Sequence, residues 1–491
     1  MLLISLIVVP ALTALAVIFS RSHRQARVLS ATGMSVQLIQ SFYLLYEFVA
    51  ERSSGNSEAN LFMKRFEWYP TFSIYFDIGV DGISVAMILL TSIVIFTGIF
   101  ASWEVTDQYR EFFASLIILA TGVFGFFISL DLFVMFLFFE LAVIPMYLLI
   151  GIWGSGRKEY SAMKLTLMLM AGSALLVVGI LGIYFNSDVN GMHSFNLQEL
   201  ANQSFPMEMQ RIFFPMTFIG FGVIGALFPF HTWSPDGHSS APTAVSMLHA
   251  GVLMKLGGYG CLKVAIALMP GAAHEMAWIF LILTSISVIY GALGVIAQSD
   301  LKYINAYSSV SHCGLVLFAL LMLNKTASNG AVIQMISHGL MTALFFALIG
   351  MLYSRTHTRI VHEMGGLMKV LPFLSACYVI AGLASLGLPG LSGFVAEMTI
   401  FVGAFQHPDL FHRVITIVAV SSIVVTAVYI LRVVGTLLMG PVRNDAYLKF
   451  EKATWYERVA TITLITGIVL IGVAPLWLSD MIMDSLGALL D

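Results

Sequence analysis

The chain has 491 residues, of which 59% are hydrophobic and 10% are charged, with a formal net charge of −3 at pH 7. Soluble proteins carry about 25% charged residues, so this composition excludes an ordinary soluble enzyme and indicates a polytopic protein of the lipid bilayer. The negative net charge and the lack of a basic run argue against nucleic acid as a partner. Three isolated cysteines, Cys261, Cys313 and Cys377, predict neither a disulfide framework nor an iron–sulfur site.

Apolar segments of about 20 residues, the length that crosses a bilayer, predict about fourteen transmembrane helices joined by short loops. The first segment lacks the basic start and the cleavage site of a signal peptide, so we expect it to be a membrane helix. The segments lie near residues 2–20, 28–50, 80–102, 112–130, 132–152, 162–185, 212–230, 243–269, 276–298, 302–322, 329–353, 370–405, 412–440 and 457–478. The longest polar connections, 51–79 and 187–210, are too short to be domains.

The loops differ in basic residues from one side of the predicted membrane to the other. If the N-terminus lies outside, the inside loops hold more than twice as many lysines and arginines as the outside loops. Basic residues accumulate in cytoplasmic loops. We therefore predict that both termini point away from the cytoplasm.

Two of the apolar segments are interrupted. Segment 212–242 is interrupted around Pro229 and Pro235 (the first break), and segment 370–405 is interrupted at residues 387–393 (the second break). Paired interrupted helices at corresponding places favour an inverted repeat with its site at the breaks, although two independent proline kinks remain an alternative. We predict a single membrane domain, divided into N-terminal helices 1–110, a first repeat 111–270, a second repeat 271–440 and a C-terminal helix 441–491.

Glu140 and Lys255 are isolated charged residues inside apolar segments. A charged side chain in a bilayer costs several kcal/mol unless it has a partner or water, so such residues commonly mark ion or proton pathways. Glu140 has no other charged residue within eight positions, and Lys255 lies about a dozen residues inside its segment. We interpret both as proton carriers, with a static ion pair as the alternative for each and a neutral buried acid as a further alternative for Glu140.

Three more polar residues extend this set. Glu397 follows the second break as a lone acid, and His312 and His338 lie in consecutive apolar segments. Histidine titrates near neutrality and can pass a proton between its two ring nitrogens. We therefore predict a proton path through Glu140, Lys255, His312, His338 and Glu397, against the alternative that the last three are merely hydrogen-bonded.

Auxiliary roles are predicted for residues near the first break and near helix ends. His231, His238 and His249 flank the first break and are candidates for gating it, and Lys164 and Arg432 are candidates for orienting the acids. Lys263 lies close enough to a helix end to extend its amine to the membrane surface, so a structural role is favoured there. No motif for nucleotide binding, hydrolysis or a metal is found, and we expect no cofactor on this chain.

Several motifs resemble the M-type antiporter-like membrane subunit of respiratory complex I. They are Phe-Phe-Glu-Leu-x-x-Ile-Pro-Met-Tyr (138–147), Phe-Pro-Phe-His-Thr-Trp-x-Pro-Asp-x-His (228–238), Ala-Pro-Thr-Ala (241–244), Ala-Gly-Val-Leu-Met-Lys-Leu-Gly-Gly-Tyr-Gly (250–260), Gln-Ser-Asp-Leu-Lys followed by Tyr-Ser-Ser-Val-Ser-His (298–312), Gln-Met-Ile-Ser-His-Gly (334–339) and Leu-Pro-Gly-x-x-x-Phe-Val-x-Glu (388–397). The resemblance covers nearly the whole chain. It implies fourteen core helices, two inverted five-helix repeats with one broken helix each, and a polar axis at mid-membrane.

The resemblance also implies the function. The chain would be a proton-translocating subunit, without a redox centre, of a quinone oxidoreductase in a bacterial inner membrane, driven by quinone reduction in neighbouring subunits. L-type and N-type antiporter-like subunits would be its partners. By motif, Glu140, Lys255, His312, His338 and Glu397 match the family's axis residues.

One position departs from the family pattern. The family usually carries a lysine seven residues before the histidine of Phe-His-Thr-Trp, and here that residue is Ile224. The expected cation for Glu140 is therefore missing. We predict that Lys255 or His249 is linked to Glu140 directly or through water, and the alternative is a non-pumping structural subunit.

A cation/proton antiporter subunit of a multi-subunit exchanger is a further alternative, because its D-type member resembles this chain. The Phe-His-Thr-Trp-x-Pro-Asp-x-His segment favours complex I. The sequence leaves the electron donor and the choice between proton and sodium ion open.

Overall fold

The computed structural model describes residues 1–189 and 191–490, and most of them lie in long apolar helices. Residues 190 and 491, which belong to the predicted segments 187–210 and 441–491, lie outside the described residues. Within these ranges, nine helices are long and apolar enough to cross a membrane. They are His23–Ser53, Gly82–Ala101, Tyr109–Ile128, Leu132–Trp153, Lys158–Phe185, Pro270–Ile296, Lys325–Thr356, Leu410–Leu438 and Trp455–Val473. The predicted polytopic membrane architecture is confirmed.

Before the first break, the long helices follow the predicted segments, and a β-hairpin and one short helix lie in the predicted connections. They are α1 (Leu2–Ile18), α2 (His23–Ser53), β1 (Leu61–Tyr69), β2 (Ile74–Val80), α3 (Gly82–Ala101), α4 (Tyr109–Ile128), α5 (Leu132–Trp153), α6 (Lys158–Phe185), α7 (Leu197–Ala201) and α8 (Met207–Ile224). After α8 the chain loses helical structure at residues 225–232, which is the first break.

The elements after the first break include the second interruption. They are α9 (Trp233–Ser240), α10 (Thr243–Leu248), α11 (Met254–Gly260), α12 (Pro270–Ile296), α13 (Leu301–Leu320), α14 (Lys325–Thr356), α15 (Leu367–Val370), α16 (Pro372–Ser385), α17 (Ser392–Phe405), α18 (Leu410–Val420), α19 (Ser422–Leu438), α20 (Trp455–Val473) and α21 (Leu476–Leu490). The second break is residues 386–391, between α16 and α17.

A β-hairpin corrects the all-α prediction. Strands β1 and β2 pair antiparallel within the segment 51–79 that was predicted to be a polar loop. The aromatic-rich sequence Leu61–Tyr69 carries the strand signal, but at nine residues it is too short to register as a membrane span.

The hairpin packs against the second long connection. Nε and Nη2 of Arg65 lie 2.8 Å from Oδ1 and Oδ2 of Asp77, respectively. Nη2 also lies 2.9 Å from Oε1 of Glu199. The side-chain amide of Asn196 donates to Asp77 at 2.6 Å. The two long connections, 51–79 and 187–210, therefore meet, and we call the side of the protein on which they lie the hairpin face.

The C-terminal helix predicted within 441–491 is two helices. α20 ends at Val473, and α21 begins at Leu476. Pro475 lies between them, and a proline disfavours helical conformation at the residue before it. The backbone N–H of Gly82 donates to Ser485 Oγ at 2.8 Å, which holds α21 against the start of α3.

An ion pair on the opposite face joins two distant helices. Arg355, in the last turn of α14, contacts both carboxylate oxygens of Glu457 in α20 at 2.7 and 2.8 Å. The two side chains are only 10% and 8% exposed. A buried pair of this kind leaves a costly unpaired charge when one partner is removed.

We expect Glu457→Ala to destabilise the protein by about 3–5 kcal/mol, because it leaves Arg355 buried without its counter-ion. Thermal unfolding of the purified protein followed by fluorescence measures this. Glu451→Ala is the matched control, since only its backbone carbonyl contacts Arg355. Equal melting temperatures of the two variants would contradict the prediction.

Helix α14 lies at the centre of the packing that positions the site. Its most apolar part is 94% buried within the chain, and it packs against α13, α16, α17 and α20. Such burial leaves little lipid contact, so polar side chains on α14 must find partners on neighbouring helices.

Candidate functional site

Four of the predicted site residues form a buried chain of contacts. Nζ of Lys255 lies 2.7 Å from Nδ1 of His338, whose ring centre is 5.3 Å from that of His312. Nδ1 of His312 lies 3.6 Å from Oε1 of Glu397. The four side chains belong to residues that are 2–8% exposed. We call Lys255, His338, His312 and Glu397 the central chain.

Polar groups around the central chain hold its amine and its imidazole rings in place. The amine of Lys255 also donates to the carbonyl oxygen of Ala250 at 2.5 Å. Nε2 of Gln334 lies 3.0 Å from Nδ1 of His312, and Ser385 Oγ lies 3.5 Å from its Nε2. Because each ring nitrogen has a polar neighbour, His312 can donate on one side while it accepts on the other.

The helix that carries Lys255 is irregular on both sides of the lysine. We call residues 243–266 the Lys255 helix: it runs through α10, a π-helical segment His249–Leu253, α11 and a second π-helical segment Cys261–Ile266. π-Turns inside helices are rare and occur frequently at functional sites. They change which side chains share a face, which the regular spacing of the sequence did not predict.

Glu397 reaches the central chain because the second break lies beside it. Gly387 has φ +66°, and a Cβ there would lie 3.0 Å from Oε2 of Glu397. A side chain at this position would be strained and would press on the carboxylate. The hydroxyls of Ser337 and Ser392 lie 2.7 Å apart and join α14 to the start of α17.

Glu140 lies apart from the central chain. Its carboxylate accepts a hydrogen bond from Ser173 Oγ of α6, a residue that the sequence analysis did not select. The carboxyl is partly exposed at the surface of the chain, and nearby Leu137, Leu141 and Ile144 are 36%, 37% and 62% exposed. Glu140 therefore faces the outside of this chain at the level of the bilayer.

The predicted direct contact between Glu140 and Lys255 or His249 is wrong. Lys255 binds His338 and Ala250, and neither ring nitrogen of His249 has a hydrogen-bond partner among the described residues. A link through water remains a prediction.

The end of α8 explains this separation. A Cβ at Gly172, beside Ser173, would lie 2.9 Å from Val223, and a Cβ at Gly257 would lie 2.6 Å from the nitrogen of Gly225. The last turn of α8 thus packs between the helices that carry Ser173 and Lys255. Ile224, fully buried, ends this turn. An apolar side chain occupies the position at which the family pattern has an amine.

Comparison with protein families identifies the fold. The sequence profile of the family described as NADH:quinone oxidoreductase/Mrp antiporter, transmembrane, matches residues 129–426. The chain belongs to this family. The resemblance drawn from its motifs is thereby confirmed.

Named relatives of the family cover most of the chain. NADH-quinone oxidoreductase subunit M of Rickettsia bellii is 34% identical over 440 residues, which are 89% of this chain and 86% of the relative. NAD(P)H-quinone oxidoreductase chain 4-2 of Synechocystis sp. is 38% identical over 380 residues, which are 77% of this chain and 67% of the relative.

Solved structures share the fold. A chain of respiratory complex I from Thermus thermophilus with bound NADH matches with a TM-score of 0.89 at 24% identity, covering 100% of both chains. A chain of the Mrp complex from Dietzia sp. matches with a TM-score of 0.85 at 17% identity, covering 99% of this chain and 97% of the other.

The predicted auxiliary residue Lys164 lies at the first break. Lys164 binds Asp236 at 2.7 Å, so it orients an acid of the break rather than Glu140. The hydroxyl of Tyr303 also donates to Asp236, at 3.0 Å. Neither Asp236 nor Tyr303 stands out in the sequence as an isolated charge in an apolar segment, although Asp236 lies within the Phe-His-Thr-Trp-x-Pro-Asp motif.

The three histidines of the first break are buried. The rings of His238 and His249 are 4.3 Å apart, and the structure shows no hydrogen-bond partner for their nitrogens among residues 1–189 and 191–490. Trp233 stacks on His249 at 5.0 Å, and the edge of Tyr290 meets His231 at 5.0 Å. Their predicted gating role stays a prediction.

Two expectations about basic residues are wrong. Lys263 does not extend to the membrane surface: its side chain is 9% exposed and pairs with Asp81, whose side chain is 3% exposed. Arg432 does not orient an intramembrane acid, because it is exposed and donates to the carbonyl of Ile296 at 3.0 Å. In both cases the partner comes from a distant segment, which helix position alone does not predict.

One group of described residues has the spacing of a metal site. His407 and Asp409, in the connection between α17 and α18, and His412, in the first turn of α18, offer three ligand atoms within 4.8 Å of one another. Nε2 of His407 also lies 2.6 Å from the carbonyl oxygen of Met322. The group is separate from the central chain.

Proposed function

We propose that this chain is the proton-translocating M-type subunit of a complex I-type quinone oxidoreductase. The observation that carries this proposal is the contact sequence from Lys255 through His338 and His312 to Glu397, four ionisable groups buried in a membrane fold. Burying such groups is costly, and within membranes they commonly serve proton relays. The names of relatives at 34–38% identity support the same assignment.

Protons would move along the central chain by changes of ionisation. Lys255 releases a proton to Nδ1 of His338, and the proton then passes through His312 to Glu397. Each contact is short enough for direct transfer or for transfer through one water molecule. Quinone reduction, which we assign to other subunits, would drive the cycle, so this chain would need no redox centre or other cofactor of its own.

The partly exposed Glu140 would connect this chain to a neighbour. We propose that L-type and N-type antiporter-like subunits flank the chain and that the face of α5 carrying Glu140 meets one of them. Apolar side chains at 36–62% exposure around this acid support a protein or lipid contact there.

We further propose that the chain crosses a bacterial inner membrane fourteen times, with the hairpin face outside. Segments 111–270 and 271–440 would form inverted five-helix repeats, each with one break. The nine long apolar helices, the shorter apolar helices Leu2–Ile18, Pro372–Ser385 and Ser392–Phe405, and the interrupted segments support this arrangement.

Reporter fusions test the orientation. A periplasm-active reporter joined after residue 491 or inserted at residue 56 should be active, because both positions lie on the predicted outer side. The same reporter inserted at residue 155 should be inactive. A cytoplasmic C-terminus would contradict fourteen crossings.

His338→Ala and Glu397→Gln test the function. In the purified complex, reconstituted in liposomes, each should slow coupled quinone reduction by about tenfold or more, because each removes a proton-transfer group. The exposed acid Glu208 offers a matched control as Glu208→Gln. Full proton translocation per quinone in the double variant would reject the central chain. Unchanged quinone reduction with sodium-dependent transport would instead favour the antiporter alternative.

A further inference from the structure

A second buried ion pair lies outside the central chain, toward the hairpin face. Nζ of Lys263 donates to Oδ2 of Asp81, the residue that precedes α3. Oδ1 of Asp81 accepts two more hydrogen bonds from Ser84, one from its N–H at 2.9 Å and one from its hydroxyl at 2.8 Å. The carboxylate is thus fully engaged at a depth where a charge needs partners.

Tyr259 continues this contact network toward the central chain. Its hydroxyl lies 2.8 Å from Ser84 Oγ. Because the Ser84 hydroxyl donates to Asp81, its oxygen is free to accept from Tyr259. Tyr259, Ser84 and Asp81 therefore form a hydrogen-bonded series in which every donor points toward the carboxylate.

The start of this series is close to Lys255 along the same helix. Lys255 and Tyr259 both lie in α11, four residues apart, and residues at this spacing lie on one face of a helix. The rings of Phe126 and Phe127 pack edge-on against Tyr259 at 5.6 and 5.1 Å, which holds its hydroxyl in place.

Both ends of the series, Tyr259 and Asp81, line one cavity. Its volume is about 360 Å³, room for several water molecules, and Asp81, Tyr259, Lys263, Asn60, Asn202 and Ser485 are among the residues that line it. Asn60 adjoins the hairpin, and Asn202 follows α7 on the hairpin face. A cavity of this size, with polar side chains in its lining, offers water a route between the buried carboxylate and that face.

We propose that Tyr259, Ser84 and Asp81 form a proton outlet from Lys255 to the cavity at the hairpin face, with Lys263 controlling release. The outlet rests on the proposed proton-translocating function and adds a second exit to the path that ends at Glu397. Water would bridge the Lys255 amine to the Tyr259 hydroxyl.

The transfer balances without another reactant. A proton from the Lys255 ammonium, carried by the bridging water, binds the Tyr259 oxygen, whose own proton passes to Ser84. The Ser84 hydroxyl proton passes to Asp81, which becomes neutral and weakens its attraction for Lys263. Asp81 then releases the proton to cavity water, and the ion pair with Lys263 forms again.

Tyr259→Phe tests the outlet, since it removes one hydroxyl and retains the ring that packs on Phe126 and Phe127. In the whole complex in liposomes, we expect a loss of protons translocated per quinone reduced. Ser84→Ala, which interrupts the series at its middle, should give the same loss and carries the test if Tyr259→Phe does not assemble. Tyr447→Phe, on the opposite face, is the matched control and should keep the full ratio.

The outcomes separate the outlet from the proposed function. Suppose that Lys255→Met lowers the number of protons translocated per quinone reduced, whereas Tyr259→Phe and Ser84→Ala leave it unchanged. This result would overturn the outlet and leave the proposed function intact. A full ratio in Lys255→Met would reject the proposed function itself. If Asp81 and Lys263 are only structural, Asp81→Asn would lower the melting temperature while the assembled complex keeps the full ratio, which also overturns the outlet.

Discussion

Replacing Lys255 with methionine is expected to slow coupled quinone reduction by about 100-fold, within the range lost when a proton-transfer group is removed. The amine donates to His338 and to the carbonyl of Ala250, so its loss interrupts the central chain at its first member. Methionine fills a similar volume with an apolar chain, and the packing around α11 should persist. Quinone reduction and proton uptake by the reconstituted complex measure the effect.

The control for this variant is Lys369→Met. Lys369 lies in the short helix α15, is exposed, and has no place in the central chain. It should retain the activity of the unchanged protein. Normal coupling in an assembled Lys255→Met complex would support the non-pumping structural alternative that Ile224 raised.

The second large effect is expected for the pair Glu140 and Ile224. Glu140→Gln should lower proton translocation by about tenfold or more while it preserves assembly, because glutamine can keep the contact with Ser173 but cannot ionise. Residue 224 is fully buried, so a lysine there needs a counter-ion. We therefore expect Ile224→Lys to leave the protein stable only when the carboxylate of Glu140 is present to pair with it. The double variant should therefore melt at a lower temperature than either single variant.

A double-mutant cycle measures this coupling. Melting temperatures and proton translocation of the two single variants and the double variant give the interaction energy, which we expect to be about 0.5–3 kcal/mol. Ile224→Met is the matched control, because it changes shape without adding charge. Additive effects would show that a lysine at position 224 does not reach Glu140, and the separation at the end of α8 would then be too wide for a pair.

Local periodicity explains which parts of the fold were predictable. The apolar spans correspond to helices such as α3 and α14, because a bilayer requires both length and hydrophobicity in each crossing. The hairpin Leu61–Val80 was missed, since its alternating pattern is shorter than a membrane span. The helix α21 was missed because the predicted segment 457–478 runs across Pro475, and because α21, with 15 residues, is shorter than a membrane span.

The sequence by itself determined the membrane class and the set of costly residues, because an isolated ionisable side chain in an apolar segment is visible without any partner. Lys255, His338, His312 and Glu397 were selected on this basis. Ser173 and Asp81 were missed, since a serine and a residue at a segment end carry no such signal.

Only the tertiary structure decided how these residues pair. Lys255 meets His338 across 83 residues of chain, and Lys263 meets Asp81 across 182 residues. Which side chains face one another depends on glycine contacts between helices and on the π-helical segments around Lys255, and neither follows from regular helical spacing. The physical reason is that a buried ionisable side chain requires a polar partner, whereas the packing of the helices determines which residue that partner is.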